Sequence, residues 1–381
     1  MRINGNNCIG CGSCSLICHK NAISIVEDDY GFYVANVDEN KCVDCGLCLS
    51  VCPLVTIKKN PLPEQCFAAW DLDNKSRIKS TSGGIATLAA RNIILNGGIA
   101  YLCSSRIKNE RIGHVRVDNL TVLEECRGSK YVQSFTGKTF EQCKKDLMDG
   151  KEVLYIGTPC QISGLKNYLK KEYDNLILVD LICHGVPSNL FLKEHLKGLY
   201  KNSFFVSFRD NSGYNLRVIS ENEEVLFKKN ECKDLYYIAF NSSVSFNSEC
   251  LKCKYSTPER VGDLTLGDFW GLGKDTPFLQ KNEYGCSVVV PNNEKGLMFL
   301  KRIEKHVFFE KREYKEAVKG NHNLSMSSSC KYDFNVFRKR FLKKGFDKAV
   351  KKTCKRDIFK GFMLRILNGS AFGRKIISII R

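Results

Sequence analysis

Nowhere does the 381-residue chain run through eighteen consecutive apolar residues, so no segment reads as a membrane-spanning helix. Its opening, Met1-Arg2-Ile3-Asn4-Gly5-Asn6-Asn7-Cys8, lacks the apolar stretch and small-residue cleavage pattern of a secretory leader. The expectation is a reducing, cytoplasmic setting. No Gly-x-Gly-x-x-Gly follows a strand-like run, which excludes a Rossmann dinucleotide site. Acidic residues are in deficit: 41 Asp and Glu face 59 Lys and Arg, a formal net charge of +18. No nucleophile stands in a pattern with an acid or base partner, so catalytic residues stay unassigned.

What the chain has in excess is cysteine, twenty in all. In a secreted protein that number would mean a disulfide scaffold; without a leader it points to metal. Eight of them form Cys8-x-x-Cys11-x-x-Cys14-x-x-x-Cys18 and Cys42-x-x-Cys45-x-x-Cys48-x-x-x-Cys52-Pro53. Three thiolates two residues apart wrap a loop around one cubane. The fourth cysteine begins a helical turn that points to the neighbouring cluster. This assigns Cys8, Cys11, Cys14 and Cys52 to cluster one, and Cys42, Cys45, Cys48 and Cys18 to cluster two, both 4Fe–4S. Gly10, Gly12 and Gly46 lie between ligands, where bare backbone can offer N–H groups to sulfide. A zinc ion needs four ligands and rarely uses this unbroken triple. Residues 4–56 resemble bacterial-type dicluster ferredoxins. They depart from that pattern at His19, which stands where proline is usual and reads as a surface residue.

An apolar content of 43% can fill the cores of two or three domains. Residues 22–26 and 32–37 read as a hairpin around Asp28-Asp29-Tyr30-Gly31. Asn60-Pro61-Leu62-Pro63 reads as a linker. Strand patterns then appear at 66–72, 98–104, 153–157 and 176–182, alternating with helical patterns at 81–95, 140–148, 161–171 and 190–200. Such alternation implies a parallel sheet covered by helices. Short strands at 204–208, 216–220 and 225–228 point to a mixed or antiparallel extension. The last zone is helical and basic: residues 331–381 hold sixteen Lys and Arg against three Asp. Its charge admits two readings, a solubilising face on a compact domain or a surface for an anionic partner.

A right-handed crossover would bring the C-terminal ends of the strands at 153–157 and 176–182 to one sheet edge, where open α/β folds bind ligands. Cys160 and Cys183 then face one place, and Cys250-x-x-Cys253 can complete a set of four. Spacing alone leaves open a third 4Fe–4S cluster, a structural zinc and unrelated core thiols. Thr81-Ser82-Gly83-Gly84 opens a helix. It suits a phosphate at the helix N-terminus, or a simple cap by Ser82. Gly128-Ser129-Lys130-Tyr131 can hold phosphate, stack on a flat ring, or form an ordinary turn.

Five stretches give the chain its family likeness: Ser82-Gly83-Gly84, Arg127-Gly128-Ser129-Lys130-Tyr131-Val132-Gln133, Gly157-Thr158-Pro159-Cys160-Gln161, Asp180-Leu181-Ile182-Cys183-His184-Gly185 and Gly262-Asp263-Leu264-Thr265-Leu266-Gly267-Asp268-Phe269-Trp270-Gly271. Through them residues 4–305 resemble the beta-subunit family of coenzyme F-420 hydrogenases and dehydrogenases. The resemblance implies an FAD, contacted by Ser82, Gly83, Gly84, Gly128, Ser129, Lys130, Tyr131 and Thr158. It also implies a third 4Fe–4S cluster on Cys160, Cys183, Cys250 and Cys253. His184 and Asp268 read as structural, with proton transfer as the other reading. Cys66, Cys103, Cys126, Cys143, Cys286 and Cys354 read as structural or surface thiols.

The expected fold class is α+β with α/β. It comprises a small dicluster ferredoxin domain (1–60), a mixed-sheet α/β flavin and 4Fe–4S domain (64–325) and a basic helical tail (326–381). The expected function is an iron–sulfur flavoprotein oxidoreductase relaying electrons between a ferredoxin-like carrier and a two-electron substrate. The alternative is a non-catalytic electron-transfer subunit of a larger redox complex. Expected partners are ferredoxin or another redox protein and, through the tail, an anionic membrane surface that would make the protein membrane-peripheral; nucleic acid is not expected.

Overall fold

The computed structural model describes residues 7–368 apart from residue 211. Between the two cysteine runs, β1 (Ile23–Glu27) and β2 (Tyr33–Val37) form the expected antiparallel hairpin. It reverses at Gly31, whose φ is +74°. A Cβ on Gly31 would stand 2.2 Å from Leu190 Cβ, so only glycine lets the hairpin sit on the helix Asn189–Leu196.

Five strands follow: β3 (Gln65–Asp71), β4 (Ile99–Cys103), β5 (His114–Val117), β6 (Val153–Gly157) and β7 (Leu176–Leu181). After a small antiparallel sheet of β8 (Phe205–Asp210), β9 (Gly213–Ile219) and β10 (Val225–Asn230), the chain returns with β11 (Leu264–Asp268), β12 (Ser287–Pro291) and β13 (Val307–Glu313). The large sheet has the order β13-β3-β12-β11-β7-β6-β4-β5. Its centre, β11-β7-β6-β4, is parallel, and the flanking pairs are antiparallel. β6 is buried at every residue because helices cover both faces, which is why its sequence is an unbroken apolar run.

One expectation needs correction. The strands after residue 203 do not extend the large sheet. Their inward residues Val206, Phe208, Leu216 and Val218 pack into a separate apolar cluster with Tyr236 and Tyr237 of the helix Leu235–Asn241. Across its first two helices, Phe334–Lys344 and Phe346–Thr353, the basic end packs onto the body of the protein. Phe337, Phe341, Phe346 and Val350 complete that same cluster, together with Phe32 of the hairpin and Phe191. Lys339, Lys343, Lys348 and Lys351 lie on the outer side. His195 pins this packing, its ring nitrogens 2.9 Å from Asp234 Oδ2 and 2.7 Å from Asp347 Oδ1. The third helix is Lys355–Asn368, and residues 369–381 of the expected tail lie outside the described residues.

Candidate metal centres

The short helices Ser13–Ile17 and Leu47–Ser50 each start after a left-handed glycine, Gly12 at φ +80° and Gly46 at φ +76°. A cavity of about 350 Å³ is lined by Cys8, Cys11, Cys14 and Cys52. A second is lined by Cys18, Cys42, Cys45 and Cys48, with His19 at its exposed edge. These are the two sets that the spacing predicts. Among the described residues no three His, Cys, Asp or Glu side chains converge on a single ion. Four thiols line each cavity, the number of ligands that one 4Fe–4S cluster takes. The Gly10 amide donates to Cys8 Sγ at 3.3 Å and the Ala22 amide to Cys18 Sγ at 3.4 Å, the contacts that steady cluster-bound sulfur. Burial pushes the Cys11 thiol up to about 12, so metal must displace its proton.

The first loop is held from inside the protein. Gln133 Nε2 donates to Ile9 O at 3.0 Å, Thr136 Oγ1 to Cys11 O at 2.9 Å, and Asn247 Nδ2 to Cys8 O at 3.0 Å. Gln133 Oε1 also accepts from the Tyr33 amide, so one side chain ties loop and hairpin together. Gln133 stands in one of the family-like motifs, yet no sequence signal announces this latch, because its partners lie a hundred or more residues away.

The third set is brought together too. Cys160 sits in the first turn of the helix Pro159–Leu169, where the positive end of the helix favours a thiolate. Thr158 caps that helix reciprocally with Gln161, and its Oγ1 lies 3.2 Å from Cys160 Sγ. Cys183 follows β7. The segment 246–247 reaches it through a bridge from Phe246 to Pro187 and an Asn247 N–H bond to Val186 O. The Gly185 amide donates to Cys183 and the Val186 amide to Cys250. Burial raises the thiol pKa of Cys160, Cys183 and Cys250 most. The nearness of Cys253 raises all three further, and Cys11 adds to the effect at Cys160. A buried ion pair that no local motif announces fixes the frame. Arg260 Nη2 bonds Asp180 Oδ1 at 2.7 Å and Leu181 O at 3.1 Å, and its Nη1 bonds Tyr255 O.

The residues expected at FAD lie at two meeting loops. Thr81 Oγ1 and Ser129 Oγ are 3.0 Å apart. The helix there begins at Ile85 after Gly84 and not at Thr81, and Ser82 does not cap it. Ser82 Oγ donates to Cys286 O, and Gly83 is pressed against Ala69 O and Ser287. Lys130 is committed to the carbonyls of Cys126, Arg127 and Gly128 at 2.5–3.0 Å. The donors that fit a diphosphate are the uncapped helix end at Ile85 and the Thr81–Ser129 hydroxyl pair; Arg127 is committed to Glu124, at 2.6 and 2.8 Å, and through Nη1 to Ser76 and Ser80. Buried Arg77 leaves its Nε without a partner nearby. Tyr131 turns toward Arg209, which pairs with Asp268 Oδ2 at 2.7 Å, and Trp270 stacks on Tyr214 beside them. His184 faces His322 with ring centres 5.9 Å apart.

Comparison with known proteins decides the family. Residues 150–317 match the family described as the C terminus of the coenzyme F420 hydrogenase/dehydrogenase beta subunit, and residues 1–58 match a 4Fe-4S dicluster domain. The chain carries both domains. The N-terminal match indicates 4Fe–4S clusters. A curated relative, the coenzyme F420-dependent sulfite reductase of Methanocaldococcus jannaschii, is 26% identical over 195 residues, 51% of this chain. The match spans only 30% of that relative's length. A solved chain of the F420-reducing [NiFe] hydrogenase complex from Methanosarcina barkeri aligns at 16% identity and a TM-score of 0.45, over 78% of this chain and 94% of the other. No helix among the described residues is long and apolar enough to cross a membrane.

Proposed function

We propose that this F420 hydrogenase/dehydrogenase-type protein is an FAD-dependent oxidoreductase with three 4Fe–4S clusters, relaying electrons between a ferredoxin-like carrier and a two-electron substrate. What supports the reading is that Cys160, Cys183, Cys250 and Cys253 lie near enough to raise one another's pKa, and that Cys11 Sγ packs against Gly164, one turn after Cys160. When bound, the clusters would supply one-electron transfer and FAD the exchange between one and two electrons. Cys8, Cys11, Cys14 and Cys52, then Cys18, Cys42, Cys45 and Cys48, then the third four would hold the clusters. The loops of Ser82, Gly83, Gly84 and of Gly128, Ser129, Lys130, Tyr131 would flank FAD, with Thr158 serving chiefly to orient Cys160. Arg209 pairs with Asp268 at the edge of that cleft, and Trp270 and Tyr214 offer flat faces there.

Anaerobic purification with iron, sulfide and flavin assays tests this: about twelve irons and one FAD per chain are expected. About eight irons with one zinc would remove the third cluster, and a fully metallated sample without flavin would remove the enzyme reading. A second reading, a subunit that only passes electrons on, is favoured by the exposed rim of Val43 and Cys45, which suits a protein partner. Reoxidation of the reduced chain by a protein and by no small molecule would select it. The exposed Lys343, Lys344, Lys355 and Arg356 beside Leu342 and Phe359 would meet an anionic lipid surface. Because Phe337 and Phe346 belong to the core, charge reversal at Lys355, Arg356 and Lys360, and not truncation, is the sound test by liposome binding.

A further inference from the structure

The helix Pro159–Leu169 carries a glycine in its middle, where glycine is unfavourable unless something needs the space. Gly164 lies one turn after Cys160 and so on the same face. A Cβ on Gly164 would stand 2.8 Å from Ser13 Oγ, 3.1 Å from Cys11 Sγ and 3.2 Å from Cys11 Cβ. Ser13, wholly buried, donates from Oγ to Gly164 O at 2.9 Å, and its Oγ lies 3.4 Å from Cys11 Sγ. A notch in one helix thus admits a thiol of the first set against the helix that bears the leading thiol of the third.

We propose that Gly164 is a positioning residue that sets the separation between the metal held by Cys8, Cys11, Cys14 and Cys52 and the metal held by Cys160, Cys183, Cys250 and Cys253. This rests on the three-cluster reading above. The step it serves passes one electron: one centre is oxidised by one unit and the other reduced by one, with no bond made or broken and no proton moved. Cys45 of the second set lies at the surface, so cluster one would be the inner member of the pair and cluster two the outer.

The test uses the full chain, prepared anaerobically as wild type, Gly164→Ala, Gly164→Val and Ser13→Ala, with iron and sulfide measured on each. Fully reduced wild type is expected to show electron paramagnetic resonance lines broadened by interaction between the two centres. Gly164→Val at full iron content is expected to narrow them. It should also slow electron equilibration between the two centres. Gly164→Ala places a methyl group 2.8 Å from Ser13 Oγ and 3.1 Å from Cys11 Sγ, so both must move, though by less than valine demands, and it should fall between. Ser13→Ala removes the hydrogen bond but leaves the notch open, and should keep the broadening. Unchanged lines and rates in a Gly164 variant with full iron overturn the proposal; if the valine variant loses iron, the alanine variant decides. A wild type with only about eight irons overturns the three-cluster reading itself.

Discussion

Cys11 and Cys45 hold the same place in two equal cysteine spacings, yet Cys11 is 6% exposed and Cys45 lies at the surface. The neighbouring positions tell the same story. Gly10 precedes Cys11 at φ +70°, and a Cβ there would stand 2.6 Å from Tyr33 Cβ. Asp44 precedes Cys45 at φ +50°, keeping the left-handed turn with a side chain because it lies at the surface. Equal ligand chemistry has been embedded in two ways, one loop pressed inward by Gln133, Thr136, Asn247 and Gly164, the other left open. The difference gives the N-terminal unit an inside and an outside, which a relay requires and which the ligand spacing does not contain.

The largest expected effect of this asymmetry is on metal retention. Titration with a mild oxidant in the presence of a chelator should strip about four of twelve irons in a fast phase. The rest should follow slowly, because water and chelator reach Cys45 and not Cys11. Cys45→Ser should abolish the fast phase and leave the slow one. A fast phase that survives in Cys45→Ser but vanishes in Cys14→Ser would reverse the comparison.

Next in size is a pH effect on the platform under the inward side. The hairpin rests on the helix Asn189–Leu196 through Gly31 and through Ser188 Oγ, which donates to Tyr30 O at 2.6 Å. His195 of that helix is clamped between Asp234 and Asp347. Burial alone would lower its pKa, but hydrogen bonds to the two carboxylates outweigh burial and raise it to about 9. Other groups facing the ring are aromatic: Phe227, Tyr236 and Phe346. A folded pKa above the ordinary 6.5 means that this stabilisation is fully present below pH 6.5 and lost as pH rises through about 9. The unfolding free energy should therefore fall between pH 7 and 10 by up to about 3 kcal/mol, and His195→Gln should flatten that slope. Hydrogen exchange should rise in β1 and β2 over the same range. No change in the Cys42–Cys48 loop is expected.

Much of this was legible in the sequence where the signal was local. Period-two alternation located β1 and β2, and unbroken apolar runs located β6 and β7, because each reflects burial of that element's own faces. The grouping of twelve thiols into three sets was an expectation of another kind, two from spacing and the third from the family resemblance. What stayed hidden depends on distant partners. Gly83 read as an opening for a ligand but is a close fit to Ala69 and Ser287. Lys130 read as a free cation but satisfies three carbonyls of its own turn. The basic terminal helices read as a separate zone because their charge is conspicuous. Phe337, Phe346 and Val350, which bind them to the core, are single apolar residues spaced among lysines.

The smallest effect separates the two loops most cleanly. Gly46→Ala places a methyl group where nothing lies within 4 Å, so its cost is the left-handed strain alone, about 1–2 kcal/mol. Gly10→Ala carries the same strain at φ +70° and adds overpacking against Tyr33 and Gln133, about 1–3 kcal/mol more. Asparagine, which tolerates the left-handed region through its short polar side chain, sharpens the contrast. Gly46→Asn should be nearly neutral, while Gly10→Asn should remain as damaging as alanine or more so. Chemical denaturation of the metallated protein, followed by loss of visible absorbance, reads all four variants. Equal costs at Gly10 and Gly46 would mean that the first loop is not pressed inward at all, and the distinction between an inner and an outer cluster would fall with it.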